Sequence, residues 1–125
     1  MSAEPEISIV DDEASVRQAV SSLLRSFGFK VKSYASAEEF LSGAGASSSV
    51  CILADVKMGG MSGIDLFRKL RSRGIETPLI FLTASSYDAV RALVGPDVPM
   101  LQKPFEGEKL VATMNSVIPG LIELS

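Results

Sequence analysis

The chain has 125 residues, 46% of them hydrophobic, which suits one domain with a sizeable core and leaves too little for a second. Twelve basic residues stand against fifteen acidic ones, and no basic cluster tracks along any segment, which argues against direct binding of nucleic acid. The single cysteine, Cys51, lies in the apolar run VCILA and excludes an internal disulfide; the start MSAEPEIS lacks a signal-peptide pattern, and no apolar run approaches the ~20 residues of a membrane span, so a soluble, cytoplasmic protein is expected.

Strand-like and helix-like segments alternate. Ile7 to Val10 is a short apolar strand, after which Val16, Ala19, Val20, Leu23, Leu24 and Phe27 recur at helical spacing up to Gly28, which stands where a helix C-cap belongs. KVKSYA, residues 30 to 35, alternates polar and apolar like an edge strand, and Ser36 with Glu39 forms the capping-box pattern S-x-x-E before a short helix ending near Gly43. The small-residue linker GAGASSS leads to VCILADV, apolar on both faces as in a central parallel strand, and Ile64, Leu66, Phe67 and Leu70 mark a third helix ending at Gly74. PLIFLT, residues 78 to 83, is the fourth strand, and Asp88 to Val94 a brief helix stopped by Gly95-Pro96. VPML, residues 98 to 101, is a fifth strand whose Pro99 places it at a sheet edge; a last helix runs from about Glu106 to Ile118 with Leu110, Val111, Met114, Val117 and Ile118 on one side, interrupted at Pro119-Gly120. Five strand-helix units without repeat or domain linker imply an α/β fold, a parallel sheet covered on both faces through right-handed crossovers.

In such sheets ligands sit beyond the carboxyl ends of the strands, where strand order reverses. Asp11 and Asp12 end the first strand, Asp55 the third, Thr83 the fourth and Lys103 the fifth, so five polar groups converge on one rim. Each alone has an ordinary explanation: an aspartate after a strand is commonly a helix N-cap, a threonine a capping hydroxyl, a lysine before proline a solvated loop charge. Their joint placement is harder to dismiss.

The stretches IVDDE, LADVKMGGMSGIDL, FLTAS and LQKPF, in this order and spacing, resemble the receiver domain of two-component response regulators over nearly the whole chain. The N-terminal half, VDDEASVRQAVSSLLRSFGFKVKSYASAEEFL, is most similar to receivers that precede a helix-turn-helix DNA-binding domain, and the sequence is expected to be either a stand-alone receiver or half of a longer regulator. The resemblance implies a three-layer, flavodoxin-like sheet with strand order 2-1-3-4-5 and a single receiver domain over residues 1–125. It implies a signalling phosphoprotein rather than a conventional enzyme, one that assists its own phosphotransfer and autodephosphorylation. Asp55 would be the phosphoacceptor; Asp12, Asp55 and the Lys57 carbonyl would ligate Mg2+ directly, with Asp11 acting through water. Lys103 and Thr83 would each serve a phosphoryl oxygen, and Lys103-Pro104 would be a cis peptide. Because the chain has no histidine, the phosphoryl donor would be a phosphohistidine on a sensor histidine kinase or phosphotransfer protein. The other partner would be a downstream output domain or protein, with a weak homodimer left open and neither nucleic acid nor membrane bound directly.

The chemistry agrees with these roles. A carboxylate attacks a phosphoryl group only if charge is neutralised and the attack is in line. Asp11, Asp12 and Asp55 would repel pairwise by roughly 4 kcal/mol at ~4 Å and an effective dielectric near 20, and a bound Mg2+, which prefers oxygen ligands, makes that crowding tolerable. With Lys103 and Mg2+ the formal charge of the set reaches zero before phosphorylation.

The sequence also departs from the family pattern. Residues 58 to 63 read MGGMSG, with Gly59 where proline is usual, so a more flexible loop is expected. Met100 replaces a common aromatic three residues before the lysine, Lys57 replaces a small or polar residue, and the segment from Thr83 to Lys103 is about two residues short. Met100 and the shortened segment speak for a pseudo-receiver that works without phosphorylation as the second reading, while the complete acid, threonine and lysine set speaks for the first. A Mg2+-dependent phosphohydrolase usually carries D-x-D at one strand end; Lys57 occupies the second acid's place.

Overall fold

The computed structural model describes residues 5–43, 48–84 and 87–119. In chain order the elements are β1 (Glu6–Val10), α1 (Ala14–Ser26), β2 (Lys30–Tyr34), α2 (Ala37–Leu41), β3 (Cys51–Asp55), α3 (Gly63–Ser72), β4 (Leu79–Thr83), α4 (Tyr87–Val94), β5 (Met100–Gln102) and α5 (Gly107–Val117). All strands are parallel, in the order β2-β1-β3-β4-β5, the flavodoxin-like arrangement expected.

Side chains alternate across each strand, so the sheet feeds two cores. Ile7, Ile9, Cys51, Leu53, Ile80, Leu82 and Leu101 pack on one face with Val20 and Leu24 of α1 and Leu110 and Met114 of α5. Val10, Ile52, Ala54, Leu79, Phe81 and Met100 pack on the other with Phe40 of α2, Ile64, Leu66 and Leu70 of α3, and Val90 of α4. β3 is buried along its whole length because it is central and covered on both sides, which is why its sequence reads as an unbroken apolar run ending in an acid.

Local chemistry sets the boundaries. Ser36 caps α2 by accepting from Glu39 N at 3.0 Å, as its capping-box pattern predicts, and Ser62 caps α3 from Asp65 N at 3.0 Å. α1 closes at Gly28, whose φ of +92° lets Gly28 N and Phe29 N turn back onto the carbonyls of Arg25 and Leu24. β5 starts one residue after Pro99 and lies at the sheet edge, in line with a proline that has no N–H to give; its carbonyl still accepts from Phe81 N. The linker GAGASSS lies mostly, and Gly120 wholly, outside the described residues. Among the described residues no helix is long and apolar enough to cross a membrane.

Candidate functional site

The chain enters β2 on one side of β1 and β3 on the other, so the crevice opens beyond the carboxyl ends of β1 and β3. Asp11 follows β1 directly and is fully buried. Its N–H donates to the Tyr34 carbonyl, continuing the β1–β2 ladder by one bond, and its carbonyl accepts from Arg17 Nη1 at 2.6 Å. Its carboxylate is held at both oxygens: Oδ1 accepts from Glu13 N at 2.9 Å and Oδ2 from Lys103 Nζ at 2.9 Å. Asp12 is exposed and accepts at Oδ2 from Gly59 N at 3.4 Å, a long contact that ties the first strand's end to the loop after β3.

Asp55 ends β3 with 5% of its surface exposed. Its Oδ1 is 3.5 Å from Lys103 Nζ, so the ammonium bridges Asp11 and Asp55. Burial pushes the Asp55 carboxyl up to about 6; the Asp11 charge pushes the same way, Lys103 opposes, and Asp12 adds a smaller upward push. Burial works against the Lys103 ammonium, yet the hydrogen bond and charge of Asp11, with help from Asp55 and Glu13, raise its pKa overall. Lys103 reaches this position because its N–H donates to the Thr83 carbonyl at 2.7 Å, extending the β4–β5 pairing to the rim; the Lys103-Pro104 peptide is cis, as the resemblance implies. Thr83 is buried at the end of β4, and Ala84 beside it is exposed.

The structure thus brings Asp11, Asp12, Asp55 and Lys103 into one cluster, with Thr83 tied to it through backbone. Lys57 stands in the loop after β3 with its side chain exposed, and among the described residues it enters no ion pair. Sequence reasoning missed Glu13. Its Oε1 is 3.2 Å from Lys103 Nζ, and carboxylate oxygens of Asp11, Asp12, Glu13 and Asp55 all lie within 4.8 Å of one another. The signal was present in the run IVDDE, where a third acid follows the pair. Glu13 also changes the charge balance, since one ammonium now faces four carboxylates rather than three. An all-oxygen donor set of this kind suits Mg2+, which prefers carboxylate and other oxygen ligands.

Residues 7–115 match the sequence profile of the response regulator receiver domain. The chain is 38% identical over 117 residues to the response regulator protein TmoT of Ectopseudomonas mendocina, covering 92% of this chain and 53% of that protein. It is 32% identical over 120 residues to the transcriptional regulatory protein FixJ of Bradyrhizobium diazoefficiens, covering 94% and 58%. The chain therefore spans about half the length of the curated relatives it matches. Among solved structures, the Vibrio cholerae chemotaxis protein CheY4 superposes with a TM-score of 0.81 at 30% identity, covering 93% of this chain and all of that one. Response regulator StyR gives a TM-score of 0.82 at 34% identity, covering 97% and 62%. By sequence profile, fold and strand order, the chain belongs to the response regulator receiver domains of two-component signalling systems.

Proposed function

We propose that residues 1–125 form a single cytoplasmic receiver that accepts a phosphoryl group on Asp55 from a phosphohistidine of a sensor histidine kinase or phosphotransfer protein, in a Mg2+-dependent reaction. The observation that carries this reading is the placement of the Asp55 carboxylate in a buried crevice, with Lys103 Nζ 3.5 Å away and three further carboxylates beside it. Asp12 and Asp55, with the Lys57 carbonyl, would hold the Mg2+, and Asp11 would act through water. When bound, Mg2+ supplies the positive charge that offsets the acids and the transferring phosphoryl oxygens.

The protein's own groups perform the transfer. Without metal, burial raises the Asp55 carboxyl to about 6, so it is mostly ionised at neutral pH, and a cation held beside it would favour the ionised, attacking form further. One Asp55 oxygen bonds to phosphorus, the P–N bond to the donor imidazole breaks, and its electron pair stays on the imidazole nitrogen. Lys103, already ionised between Asp11 and Asp55, turns part of its charge to a phosphoryl oxygen as it forms. The Thr83 hydroxyl donates to another, and Ala84 leaves the approach open. The acyl phosphate then alters the surface read by an output domain or protein, a transcriptional one by analogy with FixJ.

Intact mass after incubation with Mg2+ and acetyl phosphate tests the reading. Wild type should gain one phosphoryl group and Asp55→Asn none. Equal modification of both would misplace the acceptor, and an unmodified wild type would leave a phosphorylation-independent interaction module in its place.

A further inference from the structure

The loop between β3 and α3 carries Gly59 where receivers usually carry proline, yet it is fastened at three points. Gly63 N donates to the Val56 carbonyl at 3.0 Å and closes its base. Gly59 N reaches Asp12 Oδ2. The third fastening comes from a different element: Met61 N donates to Glu38 Oε2 at 3.1 Å, and Glu38 sits in the first turn of α2, beside its Ser36 cap. Gly60 has φ +85°, which favours glycine, and a Cβ there would stand 2.7 Å from Glu38 Oε2, so the carboxylate lies close against the loop backbone.

We infer that Glu38 is a positioning residue for the phosphoryl-transfer site, a carboxylate strut from α2 that holds the residue 57–62 loop in the register that proline supplies elsewhere. The inference rests on the reading above, because that loop includes Lys57, whose carbonyl is the proposed metal ligand, and its Gly59 N–H donates to Asp12. A backbone N–H bonded to a charged acceptor is stronger than one bonded to a neutral group. The same hydrogen bond from Met61 holds the Glu38 carboxyl below its usual range, so the strut is charged at neutral pH. Glu38 itself is exposed and its neighbours in α2 keep the core contacts through Ala37 and Phe40, so the carboxylate is not required by the fold.

The test compares Glu38→Ala with Glu38→Gln. Without metal, Glu38→Ala should speed amide hydrogen exchange at Met61 about tenfold or more while leaving exchange in β1 and β3 unchanged. With metal, it should weaken Mg2+ binding and slow phosphorylation by acetyl phosphate, roughly tenfold, the low end of what loss of a supporting hydrogen bond does at metal sites. Glu38→Gln, whose amide oxygen still accepts from Met61 N, should keep most of both. Unchanged exchange at Met61 in Glu38→Ala, or a loss that glutamine does not repair, would overturn the inference. Failure of wild type itself to bind Mg2+ or take up phosphate would instead strike the underlying reading.

Discussion

Lys103 Nζ is 3.2 Å from Glu13 Oε1 while also 2.9 Å from Asp11 Oδ2, so one ammonium is divided between a fully buried acid and an exposed one. The buried pair is geometrically fixed and shielded from salt; the Glu13 arm is in water and is screened. Glu13 therefore acts mainly through its charge, adding to the field that draws a cation to the crevice. Glu13→Gln is expected to weaken Mg2+ binding about two- to fivefold at low ionic strength, with the difference shrinking in ~0.5 M salt. Calorimetric titration at two salt concentrations checks this; a difference that salt leaves unchanged would assign Glu13 a direct ligand role instead.

Asp55→Asn should stabilise the metal-free protein at neutral pH. The wild-type carboxyl titrates near 6 in the folded state against an ordinary value of 3.8, so its stability contribution is complete below 3.8 and is lost as pH rises through 6. Asparagine mimics the protonated form at every pH. The gain should be near zero below pH ~4 and level off above pH ~6.5 at about 1–2 kcal/mol, once screening by water and Lys103 is allowed for. Urea unfolding in a chelating buffer across this range measures it, and a gain that is flat with pH would place the effect in packing rather than charge.

Gly63 opens α3 against the end of β3, and a Cβ there would overlap the Asp55 carbonyl oxygen. Gly63→Ala must therefore shift backbone at Asp55, the proposed acceptor, at a cost of about 1–3 kcal/mol in stability together with impaired phosphorylation. Gly59→Ala meets open space and should change stability by no more than ~0.5 kcal/mol. Thermal melts of the two variants, run side by side, decide whether close approach at Gly63 is what the site depends on.

Burial in the core of β3 pushes the Cys51 thiol up to about 12 from an ordinary 9.0. Between these values the unfolded chain releases a proton that the folded protein keeps, so stability falls as pH rises above 9, by up to about 1.4 kcal/mol per pH unit. Cys51→Ala lacks this penalty. Its deficit relative to wild type at pH 8 should narrow by about 2 kcal/mol at pH 10.5 in denaturant titrations; a constant deficit would mean that the thiol ionises alike in both states.

What the sequence determined by itself is what depends on short range. Apolar period, glycine and proline punctuation and serine caps act within a few residues, so Ser36, Gly28 and the unbroken run before Asp55 announced their elements directly. The parallel sheet followed from alternation, and the rim acids from their places at strand ends. Only the tertiary structure decided how those acids share charge. Glu13 gains its part through a lysine ninety residues away, and Glu38 through a loop amide twenty-three residues on, because strand order β2-β1-β3-β4-β5 sets those elements side by side. The expected slackness of the Gly59 loop rested on its local residues alone; the Asp12 and Glu38 carboxylates that accept from its N–H groups belong to other parts of the chain, whose approach no local pattern encodes. The rise of the Asp55 pKa has the same origin: desolvation and like charge are properties of the space around a group, and that space exists only once the sheet has closed over it.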